Sequence, residues 1–440
     1  VQHILNQMAR VPTGRPFGRV SALVGPLVEV KGLEELAIMG ALFEITPHVG
    51  KPLLAEVVGF RGETALLMPY HFQDGIGPKS RVSFVSHHPS IYPHTSWCGR
   101  VINAHGDPLD GKGALVWGNE VYATRTPPLP AHQRAGVKER LSVGVRAIDT
   151  FLTCCKGQRM GIFAGSGVGK SSLLAQIARY STADIIVIGL IGERGREVRD
   201  FIDEQLGPEG MKKCVLVVAT SDESAPTRRE AAYMTMTVAD YFRNQGAEVM
   251  CLMDSVTRFA MALREIGLAA GEPPASKGYT PSVFAELPKL LERAGPGLEG
   301  HPGSVTGLFT ILVEGDDHNE PISDAVRGIL DGHIILDRTI AQRGRFPAIH
   351  VPHSVSRMVP SCHSADEQEL VIKARASLST YDDMADLIRL GAYKRGASPE
   401  VDEAIRLNPP LEAFLSQKLH EHTSMDDAFQ ALHQILDGKA

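Results

Sequence analysis

The period of the apolar positions divides the chain into three stretches. Between about Gly18 and Val85, short runs alternate apolar and polar residues: "RVSALVGPLVEV", "ALFEIT", "LLAEVVGF", "TALLMPY" and "RVSFV", with glycine or proline between them. Period-two alternation broken by turn formers predicts a small antiparallel barrel or sandwich, assigned to residues 18–90 after an N-terminal segment 1–17. A turn-rich connector follows, "SHHPSIYPHTSWCGRVINAHGDPLDGKG". From about Leu141 to Val359 the pattern changes to continuous apolar runs separated by amphipathic helical stretches. The runs are "RMGIFA", "DIIVIGLI", "CVLVVAT", "EVMCLMD", "TGLFTILVEG" and "AIHV". Strands apolar on both faces belong to a parallel sheet covered by helices, so residues 91–360 are read as an α/β domain. Beyond Ser361 the chain reads as helical. "SADE" at Ser364–Glu367 predicts a capping box, Ser398 before Pro399 an N-cap with proline at N1, and Ser424 with Asp427 a last helix start. Residues 361–440 form a C-terminal helical domain on this reading.

A length of 440 residues exceeds what one hydrophobic core organises, in keeping with this division. The 45 basic and 51 acidic residues leave a net charge of -6, which argues against a broad nucleic-acid surface. None of the 6 cysteines forms a C-x-x-C pair, a usage that fits a reducing cytoplasm. No apolar run reaches membrane-spanning length and no secretory segment opens the chain. Val1 stands where a methionine is expected, so a short natural N-terminus is expected before it. His87, His88, His94 and Cys98 crowd the connector, but their spacing matches no common zinc pattern and they read as solvated turn residues.

The candidate chemistry begins at "FAGSGVGKSSLL". An apolar strand runs into a glycine-rich loop and then into a helical run, the context of a phosphate-binding loop. Backbone N–H groups from Gly165, Ser166, Gly167, Val168 and Gly169 face phosphate oxygens in such a loop, with Lys170, Ser171 and Ser172 opening the helix. Lys170 reaches the β- and γ-phosphates, and the Ser171 hydroxyl is a magnesium ligand. The strict pattern opens with glycine, whereas this chain has Ala164. ATP and Mg2+ are the expected ligands. Asp254 ends the run "EVMCLMD" and is read either as the second magnesium-side group or as an N-cap of the next helix. Glu193 ends "DIIVIGLIG". It is read either as the carboxylate that activates a water for attack on the γ-phosphate or as the partner of Arg194, Arg196 or Arg199 in a surface ion pair.

The segments "GERGREVRDFI", "LMDSVTRFAMALREIGLAAGEPPASKGYTPSVFAELPKLLERAG", "ILDGHIIL" and "FPAIHVPHSVSR" resemble the rotary-type ATPases related to the catalytic subunit of ATP synthase. Within that group the chain is most similar to the flagellum-specific ATPases of type III protein export, with the injectisome secretion ATPases next. "GRVINAHGDPLDGKG", "GVRAIDTFL" and "EAFLSQ" extend the likeness over most of the chain. The resemblance implies a RecA-like P-loop ATPase core with an N-terminal small β-barrel and a C-terminal helical domain, assembled as a homohexameric ring that hydrolyses ATP. It implies that Lys170, Glu193 and its neighbour Arg194 are catalytic, that Asp254 stands on the magnesium side, and that Arg357 of "SVSR" is an arginine finger reaching the next subunit. The bland reading of Arg357 ties the loop after "AIHV" to its own domain. Phe346 is implied to pack on adenine, against a reading as a core aromatic before Pro347. Implied partners are the export regulator, stalk and membrane gate proteins and chaperone–substrate complexes, with no nucleic acid. The implied location is the cytoplasm, in peripheral association with the cytoplasmic face of the inner membrane. "EGDDHNEPI" departs from the family pattern and leaves Asp316, Asp317 and Glu320 without a role, and Glu286 in "FAELP" brings an acidic residue to a segment expected along the ring pore. A noncatalytic rotary subunit is disfavoured by Glu193, and an RNA translocase by the weakly basic first stretch.

Overall fold

The computed structural model describes residues 17–438, apart from 34, 72–73, 314, 316, 318 and 319. The N-terminal segment 1–17, save its last residue, and Asp316 therefore lie outside the described residues. Six strands, β1 (Phe17–Val24), β2 (Leu27–Lys31), β3 (Leu42–Thr46), β4 (Leu53–Arg61), β5 (Thr64–Pro69) and β6 (Arg81–Ser86), close into a barrel in the order β1–β2–β5–β4–β3–β6. Closure leaves no unpaired edge. Alternate residues such as Val20, Val30, Phe43, Ile45, Val57 and Leu67 fill its interior. The outward residues Leu27, Val58, Leu66 and Met68 are also buried, against Ala225, Ala262 and Ile266 of the next domain.

A charged cluster lies beneath that apolar contact. Glu56 on β4 is 1% exposed. Its two oxygens accept from Arg125 at 2.7 and 2.6 Å, and one also accepts from the Tyr70 hydroxyl at 2.7 Å and from Arg229. Arg125 continues to Glu230 at 2.8 Å. Burial alone would raise the Glu56 carboxyl, but the guanidinium groups of Arg229 and Arg125 outweigh it and hold it at about 2.

The second domain is built on a sheet ordered β14–β13–β8–β12–β11–β9–β10–β7. Its strands are β7 (Arg100–Ile102), β8 (Arg159–Ala164), β9 (Ile185–Glu193), β10 (Cys214–Thr220), β11 (Glu248–Asp254), β12 (Ser304–Leu312), β13 (Gly332–Leu336) and β14 (Val355–Ser356). Every pair along this path is parallel except β13–β14. Helices cover both faces, among them α1 (Arg146–Phe151), α2 (Lys170–Tyr180), α3 (Ala225–Asn244), α4 (Val256–Ala270) and α5 (Pro321–Ile329). "AIHV" is not a strand: only Ile349 makes a single bridge, to Leu336. Pro347 and Pro352 flank that run and lack the N–H groups a ladder needs, and Gly332–Leu336 takes the position beside β8 instead. Glu320 caps α5 by accepting from Ser323 N–H, and Asp317 pairs with Lys277 at 3.1 Å. Glu286 accepts from the Tyr233 hydroxyl at 2.6 Å and from Lys289 at 2.7 Å, so its charge is already engaged within the chain. In the connector, His94 caps the turn Thr95–Trp97, and the His87 ring packs on Phe84.

The C-terminal helices are α6 (Ala365–Arg389), α7 (Pro399–Leu415) and α8 (Met425–Leu436). Ser364 and Glu367 form the expected capping box, and Ser398 and Ser424 cap the other two. Their apolar faces pack on α1, with Phe151 edge-on to Phe414 at 6.4 Å. Among the described residues no helix is long and apolar enough to cross a membrane.

Removing Glu56 strips two arginines of a counter-charge inside the barrel junction. Glu56→Ala is expected to weaken docking of the barrel by about 3–5 kcal/mol, the cost of breaking a buried pair, measured as faster amide exchange in β4 and β5. Because the folded pKa lies below the unfolded one, the pair's contribution is fully present above about pH 4.5 and is lost as pH falls toward about 2. Acid unfolding should therefore be shallower in that window for Glu56→Gln than for the unmodified chain.

Candidate active site

Parallel pairing carries the carboxyl ends of β8, β9, β11 and β12 to one edge of the sheet, where ligands bind in open α/β folds. After β8 the chain turns through Gly165–Gly169 and enters α2 at Lys170. Gly167 and Gly169 have φ of 78° and 89°, a left-handed backbone that glycine adopts without a steric penalty. A β-carbon at Gly167 would meet nothing within 4 Å, so the loop's outer face is open. β9 carries a bulge between Ile191 and Glu193, with Gly192 at φ 71°. A side chain at Gly192 would strike Arg258 at 2.9 Å. The extra residue re-aims Glu193 toward the loop.

Three of the expected residues meet directly. Lys170 Nζ donates to Asp254 Oδ1 at 2.5 Å and to Glu193 Oε1 at 3.4 Å. Asp254 Oδ1 also accepts from the Thr310 hydroxyl on β12 at 2.7 Å. Burial would lower the Lys170 ammonium, yet Asp254 and Glu193 together raise its pKa above the ordinary value. Glu193 moves the other way from a usual carboxylate. Burial first, and then the negative charge of Asp254, push it up to about 7 against the pull of Lys170.

The competing readings separate cleanly. The N-cap of α4 is Ser255, which accepts from Arg258 N–H, so Asp254 does not serve as that cap. Arg194, Arg196 and Arg199 pair with Glu197, Asp200 and Asp203. Glu193 pairs with Lys170 and, among the described residues, with no arginine. Phe346 is 44% exposed and is not a core aromatic. Its ring lies so near Gly169 that a β-carbon there would come within 3.2 Å of it.

A cleft of about 720 Å³ spans the loop. Gly165, Ser166, Gly167, Gly169, Lys170, Ser171, Ser172, Glu193 and Arg194 line it. Val168, by contrast, is 2% exposed with its side chain in the core, so only its main chain faces the loop. Asp254 and Phe346 stand outside the cleft walls, the first behind Lys170 and the second beside Gly169. Arg357 follows the edge strand β14, whose antiparallel pairing with β13 puts it at the edge of the sheet opposite the glycine loop. Its backbone N–H bonds Asp331, and its exposed guanidinium has no hydrogen bond or ion pair among the described residues. The side chain does not tie the loop to its own domain.

Sequence reasoning missed Gln205, Arg258 and Arg338, which also line the cleft. Gln205 sits in a π-helical turn, Phe201–Leu206. Arg258 occupies the first turn of α4, four residues past Asp254, a spacing that could have marked it. Gln205 Oε1 and Arg258 Nε are buried with no hydrogen-bond partner among the described residues. The orphaned Arg258 Nε–H, a donor beside a glycine cradle and a buried ammonium, fits a polyphosphate. The hydroxyl of Ser171 and the carboxylate of Asp254 are oxygen donors, the set a magnesium ion takes.

Residues 144–356 match the ATP synthase alpha/beta family, nucleotide-binding domain, and residues 20–85 match its beta-barrel domain. Residues 363–434 match the T3SS EscN ATPase C-terminal domain. The chain is 58% identical to the flagellum-specific ATP synthase of Caulobacter vibrioides, covering 96% of each chain. It is 48% identical to that of Bacillus subtilis, over 99% of this chain and 98% of the relative. It is 45% identical to that of Salmonella typhimurium, over 98% and 95%. The assembled ATPase EscN of the enteropathogenic E. coli type III secretion system superposes with a TM-score of 0.87 at 37% identity, over 95% of this chain and 100% of that one. EscN in complex with its central stalk EscO gives the same TM-score at 38% identity, over 95% and 100%. With these matches along its whole length, the chain belongs to the ATP synthase alpha/beta family, in the group of the flagellum-specific ATP synthases.

Proposed function

We propose that this chain is the ATP-hydrolysing subunit of a ring that energises flagellar type III protein export. The observation that carries the chemistry is the shared contact of Lys170 with Glu193 and Asp254 at the ends of neighbouring strands. Lys170 supplies the positive charge that the β- and γ-phosphates need, and loop N–H groups and the start of α2 add to it. Glu193 takes a proton from the attacking water as the new P–O bond forms and the bond to ADP breaks. A carboxyl held near 7 is matched to that task, since it is a stronger base than an ordinary glutamate. Ser171 and Asp254 would hold a magnesium ion, which supplies charge neutralisation on the phosphates when bound. Phe346 is assigned to the adenine side, and Arg194 to the rim of the cleft.

Arg357 is assigned to the neighbouring subunit's site. Its unpaired guanidinium lies away from its own cleft, and a finger acting in trans stabilises charge developing on the transferring phosphoryl group. The solved relatives are described as an assembled ATPase and as a complex with a central stalk. By extension we assign this chain to a six-membered ring with a stalk partner, working at the cytoplasmic face of the inner membrane with the export regulator, gate and chaperone–substrate complexes. High identity to flagellum-specific relatives along the whole chain favours the flagellar machine over the injectisome.

Single variants, a pH profile and mixed rings test this. Glu193→Gln should retain ATP binding while turnover falls by about two to four orders of magnitude, the contribution of a positioned base; wild-type turnover would remove Glu193 from the chemistry. In the unmodified protein, kcat/KM for ATP at saturating magnesium should fall about tenfold per unit below about pH 7 as Glu193 gains its proton, and this acid limb should vanish in Glu193→Gln. Arg357→Ala should bind ATP but lose about three to five orders of magnitude in turnover. Lys170→Ala should lose ATP binding with its circular dichroism unchanged. Rings co-assembled from these last two inactive chains should partly recover activity, since some interfaces pair an intact loop with an intact finger. Mixed rings verified by mass that stay inactive, with wild-type rings tolerant of small fractions of either mutant, would overturn the trans assignment.

A further inference from the structure

Away from the nucleotide cleft, the loop after β13 carries His350 and His353 against the side of α6. The two imidazoles stack with centroids 3.9 Å apart and planes within 7°. His350 Nε2 lies 3.2 Å from Oδ2 of Asp382 on α6. One nitrogen or oxygen from each of the three residues lies within 4.8 Å of the other two. Among the described residues, no other set of three His, Cys, Asp or Glu side chains meets this way.

We infer that His350, His353 and Asp382 form a binding site for a divalent transition metal of the zinc class, which fastens α6 of the C-terminal domain to the ATPase core. Two imidazoles and one carboxylate suit zinc, cobalt or nickel, whereas magnesium and calcium take oxygen ligands. Ligands 2.0–2.1 Å from a tetrahedral zinc stand about 3.3 Å apart. The His350–Asp382 pair already has that span at 3.2 Å. The His353 side chain has further to close, and it is exposed and free to change rotamer.

The loop that presents the histidines is fixed by its backbone. Ser354 Oγ donates to the His350 carbonyl at 2.7 Å and accepts from Ile335 N–H on β13 at 2.9 Å. The His333 ring meets the His353 carbonyl at 3.1 Å. Little chain entropy remains to be lost when a metal binds, because the loop is already held. Without metal, His350 Nδ1 accepts from His353 N–H at 3.3 Å, so Nε2 carries the ring proton and faces Asp382. A metal at Nε2 moves that proton to Nδ1 and gives up this one long hydrogen bond; the imidazole stays neutral throughout. His350 is 8% exposed, while His353 and Asp382 open to solvent, which leaves a path for the ion and a position for water as fourth ligand.

The test uses the full chain with cobalt as a spectroscopic probe, in a large excess of magnesium to occupy oxygen sites. One equivalent of Co2+ per chain should bind, with visible bands of a low-coordinate site and no thiolate charge-transfer band. Zn2+ should displace it and raise the melting temperature by mass action. His353→Ala and Asp382→Ala alter exposed side chains and should fold normally by circular dichroism. Each should weaken Co2+ binding by more than about tenfold, a loss seen even when a ligand's supporting partner is removed, and the double variant should abolish the zinc-dependent melting shift. Unchanged Co2+ affinity in the double variant, absence of stoichiometric binding in the unmodified chain, or a thiolate band would each overturn the assignment.

Discussion

One buried ammonium between two carboxylates organises this molecule. Lys170, Glu193 and Asp254 come from three separate segments, and only a parallel sheet brings the ends of those segments to one edge. The glycine loop and the bulge at Gly192 are local adjustments to the same constraint, since each aims a group at a common point. Carboxylate oxygens beside the ammonium give a divalent cation a place next to the phosphates, so the cleft is matched to a nucleotide and its counter-ion together. Burial raises Glu193 first, and the charge of Asp254 adds to that rise against the pull of Lys170, so the surroundings that gather the binding groups also set its basicity.

The cleft is also wired to the C-terminal domain. Phe346, beside Gly169, accepts from the Gln417 N–H at 2.8 Å through its carbonyl. The Gln417 side chain in turn accepts from Arg146 N–H at 2.8 Å and donates to the Gly144 carbonyl at 2.9 Å. Arg146 reaches the Phe414 and Ser416 carbonyls and the Glu421 carboxylate. These contacts join the rim of the nucleotide site to the helical domain by hydrogen bonds rather than by apolar packing alone.

Much of this was legible in the chain itself, and the exceptions have particular causes. The barrel strands and the five long core strands announce themselves because their apolar periods persist. Gly332–Leu336 and "AIHV" are similar short runs, and pattern alone does not rank them; proline at both flanks decides which one pairs. Arg100–Ile102 has three residues, too few to show a period. In the site, the motif residues Lys170, Glu193 and Asp254 were visible because strand ends and glycines mark them. Their alternatives could be rejected only in three dimensions, since both the cap of α4 and the pairing of the arginines are contacts that sequence leaves open. Gln205 and Arg258 lie on helical segments with ordinary neighbours, and their role shows only as unsatisfied atoms facing a cavity.

The cluster around Glu56 has a mechanical corollary. Arg125 touches both the barrel, through Glu56, and the helix α3, through Glu230, and apolar side chains close over the junction. Glu56 and Glu230 are buried while Arg125 keeps partial access to solvent, so losing either pair leaves a buried carboxylate short of a counter-charge. Barrel and sheet are therefore coupled by paired charges as well as by apolar contact, and moving one against the other would part Arg125 from one of its two carboxylates.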